Sequence, residues 1–103
     1  METKYKYKHY DIYLIKNSNN IIIKFVNNKL NKIFKEIYDV SFLNQHNLSL
    51  NDFHYIILKA FNILVYDDPN NEIICFVLYD DYINIKINNN SYLCTINLFL
   101  YSL

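Results

Sequence analysis

The sequence predicts an α+β fold: an N-terminal β-hairpin, two helices and a C-terminal three-stranded antiparallel meander, in a single α+β domain over residues 1–103. Three patterns lead there. Apolar residues alternate at period two near both ends of the chain, and between them two segments carry apolar residues at helical spacing. Clusters of Asn and Asp separate these runs. The chain has no glycine, so positions needing positive φ fall to Asn and Asp, the next most tolerant residues. Turns are thus expected at Asn17 to Asn20, Asn27-Asn28, Pro69-Asn70-Asn71, Asp80-Asp81 and Asn88 to Asn90.

The hairpin comes first. Tyr10, Ile12 and Leu14 point one way and Asp11, Tyr13 and Ile15 the other, followed by Ile21, Ile23 and Phe25 on one side of a second strand. A two-residue loop at Ser18-Asn19 pairs Leu14 with Ile23 and Ile12 with Phe25. Leu30, Ile33, Phe34 and Ile37 then fall at i, i+3, i+4, i+7 behind Asn27 or Asn28 as N-cap, which predicts a first helix. Val40 to Leu48 reads as a loop that tucks Phe42 and Leu43 under the domain. A second helix opens on the capping pair Ser49 and Asp52 and carries the stripe Phe53, Ile56, Ile57, Ala60, Phe61 and Leu64. Ile63 to Tyr66 fits either its last turn or a short strand.

Glu72 to Tyr79, Tyr82 to Asn88 and Ser91 to Tyr101 read as the meander. A turn at Asp80-Asp81 sets Ile74 opposite Ile87, Phe76 opposite Ile85 and Leu78 opposite Ile83. A turn at Asn89-Asn90 sets Ile87 opposite Tyr92, Ile85 opposite Cys94 and Ile83 opposite Ile96. One face is apolar throughout. The other carries Ile73, Cys75, Val77, Tyr79, Tyr82 and Leu93 among polar residues, too oily for a fully solvated face. Either another part of the chain covers it or a partner does.

Composition narrows the chemistry. Asn, Ile, Tyr and Lys exceed half of the chain, the signature of an AT-rich genome, and every basic residue is Lys. Bidentate guanidinium recognition of phosphate is therefore unavailable. Formal net charge is zero, which argues against a general polyanion binder. No apolar run is long enough to span a membrane. METKYKYKHYD lacks the apolar stretch of a secretory signal, so a cytoplasmic location is expected. Cys75 and Cys94 fall on opposite faces of non-neighbouring strands, which reads as two reduced thiols rather than a disulfide. His9, His46 and His54 are not spaced with each other or with cysteine as metal ligands, so no metal or other cofactor is expected. No nucleophile has a base and an orienting group in reach, so no catalytic residue is assigned and an enzyme ranks last.

Lys4-Tyr5-Lys6-Tyr7-Lys8 interleaves cations and rings, a composition that suits single-stranded nucleic acid, although lysines on an edge strand also block aggregation. Asp67, Asp68, Asp80 and Asp81 sit in turns. They would carry the acidic contacts of a toxin-neutralising immunity protein or inhibitor.

A strand pair, an Asn entering a helix that ends near a Tyr (Asn28 to Tyr38), a capped second helix and an Asn-punctuated meander together resemble uncharacterised small α+β proteins of AT-rich large DNA viruses. The order of elements is also similar to the head domains of centriolar and DNA-repair scaffold proteins. That likeness implies a helix pair interrupting a β-sandwich, and heads that dimerise. The expected function is a non-enzymatic protein–protein interaction module, virus- or mobile-element-encoded, acting on a host or sister protein or on a second copy of itself. Its expected contact surface is Ile73, Val77, Tyr79, Tyr82 and Leu93. The alternatives are nucleic-acid binding through Lys4, Lys6, Lys8, Tyr5 and Tyr7, and the immunity role.

Overall fold

Period-two alternation runs further through this chain than the α+β reading allows, and it builds one sheet. In the computed structural model, which describes residues 1–66, 74–89 and 92–102, β1 (Glu2–Tyr7), β2 (Tyr10–Lys16), β3 (Asn20–Asn27) and β4 (Lys32–Asp39) follow one another as antiparallel hairpins. Two helices come next, α1 (Val40–Gln45) and α2 (Leu50–Tyr66). β5 (Ile74–Leu78), β6 (Tyr82–Asn89) and β7 (Tyr92–Ser102) complete the chain. The seven strands form a single antiparallel half-barrel in the order β1-β2-β3-β4-β7-β6-β5. This overturns the α+β expectation. The C-terminal strands do not stand apart as a meander, because β7 docks on β4 and joins them to the N-terminal sheet.

The expected first helix is a strand. Along β4, Phe34 and Tyr38 are buried while Ile37 faces out, and Leu30, in the connection before it, is exposed. As a helix, the segment would have left the β3 edge without backbone partners. As β4 it pairs with β3 from Asn27↔Lys32 to Asn20↔Asp39. The Asn cap is real but caps a turn: Asn27 Oδ1 accepts the N–H groups of Lys29 and Leu30, each at 3.0 Å. An Asx-type turn and a helix N-cap satisfy the same two or three N–H groups, so they look alike in sequence.

Other expectations hold in detail. Leu14 pairs with Ile23 and Ile12 with Phe25. Ile74 pairs with Ile87, Phe76 with Ile85 and Leu78 with Ile83. The β6–β7 register is shifted by two residues from the expected one: Ile87 faces Cys94, Ile85 faces Ile96 and Ile83 faces Leu98. A shift of two keeps every residue on its expected face. The ladder places Cys75 opposite Lys86 and Cys94 opposite Ile87, successive positions of β6, which separates their strands. Ser49 Oγ caps α2 through the Asp52 N–H at 3.0 Å. Ile63 to Tyr66 continue α2, and the expected loop at Val40 to Leu48 contains α1, capped by Asp39 Oδ1 on the Phe42 N–H at 2.8 Å.

Inside the half-barrel, the inward residues of the strands enclose Phe53, Ile57, Ala60 and Phe61 of α2 and Leu43 of α1. Phe61 meets Tyr5 and Phe25 edge-on, both at 5.9 Å between centroids. Helix α2 thus occupies the concave side of the sheet.

Candidate functional site

Among the described side chains, no outward-facing strand residue is buried. The N-terminal hairpin, a candidate cover for the second face, lies in the same sheet, and α2 packs on the opposite side. Strand alternation therefore sets out a continuous convex surface, and the registers give its composition. Across the middle run Lys4↔Tyr13, Tyr13↔Lys24, Lys24↔Lys35, Lys35↔Phe99 and Phe99↔Tyr82, one residue per strand on one face.

The C-terminal half of this surface is aromatic. Tyr79 stacks on Tyr82 with centroids 4.4 Å apart and planes 12° from parallel, and Tyr82 leans on Phe99 at 5.9 Å. Phe99 is 53% exposed, Tyr79 48% and Val77 42%, with Ile37 and Tyr101 also exposed. Partial desolvation, then the neighbouring Tyr79 and Asp81, push the Tyr82 phenol above its ordinary pKa. Asn84 Nδ2 donates to Asn97 Oδ1 at 2.8 Å beside this belt.

An opening adjoins the belt. The β4–β7 ladder runs only from Ile33↔Ser102 through Phe34↔Leu100 to Lys35↔Phe99, with a bulge at Ile33/Phe34. Beyond it the strands diverge around a cleft of ≈ 280 Å³ lined by Glu36, Ile37, Tyr38, Phe42, Ile96 and Phe99, among others. The Tyr38 hydroxyl crosses the gap to donate to the Asn97 carbonyl at 3.3 Å, and the Ile37 N–H donates to Glu36 Oε1 at 3.1 Å.

Of the expected contact residues, Val77, Tyr79 and Tyr82 come together on this surface. Ile73 lies outside the described residues. Leu93 pairs with Asn88 in the ladder, and its side chain lies outside them. Sequence reasoning misses Phe99, Tyr101 and Ile37. The first two sit in an apolar run whose outward half looks like core, and Ile37 fits a helical period.

The expected nucleic-acid strip does not hold together. β1 alternates, so Lys4 and Lys6 face outward while Tyr5 faces the core at 3% exposure and Tyr7 is partly buried. Burial is the main reason the Tyr5 phenol titrates above its ordinary value. Lys8 occupies the β1–β2 turn at φ 55°. Asp80 and Asp81 are exposed in the β5–β6 turn, and Asp67 and Asp68 lie outside the described residues. Among the described residues, no group of three or more His, Cys, Asp or Glu side chains is placed to hold a metal ion. No described helix is long and apolar enough to cross a membrane.

No family model matches the sequence, and none of the curated proteins matches it. Among solved structures, the chain is similar to the head domain of human CCDC61, with a TM-score of 0.65 over 98% of this chain and 99% of that one, at 10% sequence identity. At that identity the likeness shows a shared fold.

Proposed function

We propose that the chain is a non-enzymatic protein–protein interaction module that engages another protein, or a second copy of itself, through the aromatic belt of Ile37, Val77, Tyr79, Tyr82 and Phe99. One observation carries this reading: the belt is contiguous, largely exposed and free of any covering element among the described residues. Scattered apolar residues are ordinary on protein surfaces, whereas contiguous patches mark interaction sites. Tyrosine and phenylalanine give large contact area for few rotatable bonds, which is why interface cores favour them. The stacked Tyr79–Tyr82 pair is already ordered, so docking on it costs little side-chain entropy.

The test compares the wild type with a Tyr79→Asp/Phe99→Asp variant. Sedimentation velocity over a concentration series reads self-association, and cross-linking with mass spectrometry reads the residues at any contact. The expected result is association that maps to the belt and falls at least about tenfold in the variant, as for loss of central hot-spot residues. A wild-type chain that stays monomeric, together with cross-links to other proteins that avoid the belt, removes the proposal.

A further inference from the structure

The chain's zero net charge conceals a segregated surface. Among the described residues, the convex face carries Lys4, Lys6, Lys24, Lys35 and Lys86 against Glu2, Asp11 and Asp39. Its single ion pair among those residues is Lys6 to Asp11 at 3.7 Å. The basic half is interleaved with rings: Lys4 and Lys24 Nζ lie 5.5 and 4.5 Å from the Tyr13 centroid, and Lys35 Nζ lies 4.6 Å from that of Tyr101. Lys24 and Lys35 are direct cross-strand partners. Their ammonium groups reach to opposite sides, over Tyr13 and Tyr101, so each charge stands beside a ring.

We propose that the β1–β4 half of the convex face, through Lys4, Tyr13, Lys24 and Lys35 together with Tyr101 of the neighbouring β7, binds single-stranded nucleic acid without sequence preference. Neighbouring strands lie ~4.8 Å apart, so the row from Lys4 to Lys35 spans roughly 14 Å, the reach of two or three extended nucleotides. Ammonium groups neutralise phosphates while tyrosine rings offer stacking surfaces, a combination that an acidic polypeptide does not exploit. Lysines act as point charges, so affinity is set by the backbone and not by base edges. The site borders the aromatic belt where Lys35 faces Phe99, but it uses different side chains, so either can fail alone.

Fluorescence anisotropy with a labelled dT20 oligonucleotide at low salt tests the proposal. Three lysine–phosphate contacts give a log Kd versus log salt slope of about 2. Lys35→Glu puts a carboxylate opposite Lys24 and reverses the charge at one end of the row. Its expected signature is a cooperative melting transition like the wild type's together with roughly tenfold weaker binding. Loss of fold cannot mimic that combination. Tyr13→Ala weakens binding roughly tenfold, and Lys59→Glu, on the exposed side of α2, leaves it unchanged. Absence of dT20 binding at low salt, or binding that neither Lys35→Glu nor Tyr13→Ala alters, overturns the proposal. So does displacement of dT20 by polyglutamate as effective as by unlabelled dT20, which would make the face an acidic-protein surface.

Discussion

Asn27 shows how one side chain can serve either of two folds of the same segment. Its Oδ1 holds the Lys29 and Leu30 N–H groups and its Nδ2 donates to the Tyr10 hydroxyl at 3.3 Å, all at a buried position. Asn27→Ala should cost about 1–2 kcal/mol, the upper range for loss of a capping side chain, and Asn27→Asp should recover part of it by keeping the acceptor. Urea denaturation of both variants checks this. The absence of glycine makes turns easy to find but not their geometry. Among the described residues the left-handed positions are Lys8, Asn31 and Asn47, none of them a residue that the hairpin reading assigns to a two-residue loop. His54 offers a second test at this scale. It is buried on α2 with no partner for Nε2, and burial, then Lys16 and the N-terminal amine, hold its pKa below 6.5. The unfolded chain therefore takes up the proton first as pH falls. Stability should decline from about pH 6.5 downward until the folded-state pKa is reached. Asp11, held below its ordinary value chiefly by the Asn28 amide, loses its contribution only at lower pH, in the carboxylate range. His54→Leu should remove the decline that sets in below about pH 6.5 in urea midpoints; an unchanged decline would assign it to other groups.

Between residues and the whole, the elements show which signals are legible in the sequence and which are not. Helix α2 is readable because Ser49, Asp52 and the stripe from Phe53 to Leu64 agree on one structure, and the core bears them out with Phe53, Ile57, Ala60 and Phe61 buried. Phe61→Ala should cost about 3–5 kcal/mol, because Tyr5 and Phe25 stand edge-on to the ring from separate strands and cannot both close the cavity. Tyr5→Phe should cost well under that, since the Tyr5 hydroxyl reaches the Leu58 carbonyl only at 3.5 Å. Calorimetric melting of the two variants separates packing from hydrogen bonding. β4 misleads because Leu30, Ile33, Phe34 and Ile37 satisfy the helical period by accident, while the true pattern is Phe34 and Tyr38 inward with Ile33, Lys35 and Ile37 outward. A strand flanked by other strands is specified by its neighbours' backbone, which no local period records. The aromatic belt is half legible for the same reason. Val77, Tyr79 and Tyr82 lie on one hairpin, but Phe99 joins them through a β6–β7 register that differs by two residues from the one its turn residues suggest.

At the scale of the molecule, two locally wound halves of the sheet, β1–β4 and β5–β7, meet at one non-local seam. The hairpins within each half close short loops, whereas Phe34 finds Leu100 across most of the chain, so the seam bears the largest loop-closure cost and makes the fewest ladder pairs. Beyond Lys35 it is held by the Tyr38 hydroxyl on the Asn97 carbonyl, while the Ile37 N–H depends on the Glu36 carboxylate. Local opening should therefore begin at the cleft end of the seam, where few backbone hydrogen bonds must break. Tyr38→Phe removes the bridge without changing the ring that packs on Phe53 at 5.3 Å. It should cost about 0.5–1.5 kcal/mol and speed amide hydrogen exchange at Ile96 and Asn97. Protection in β2 and β3, inside the N-terminal sheet, should stay as it is. Uniform loss of protection would mean that the half-sheets open as one unit. Selective loss would show that the cleft beside the aromatic belt is the soft point of the fold, and that a partner docking on Ile37 and Phe99 binds across the joint between its two halves.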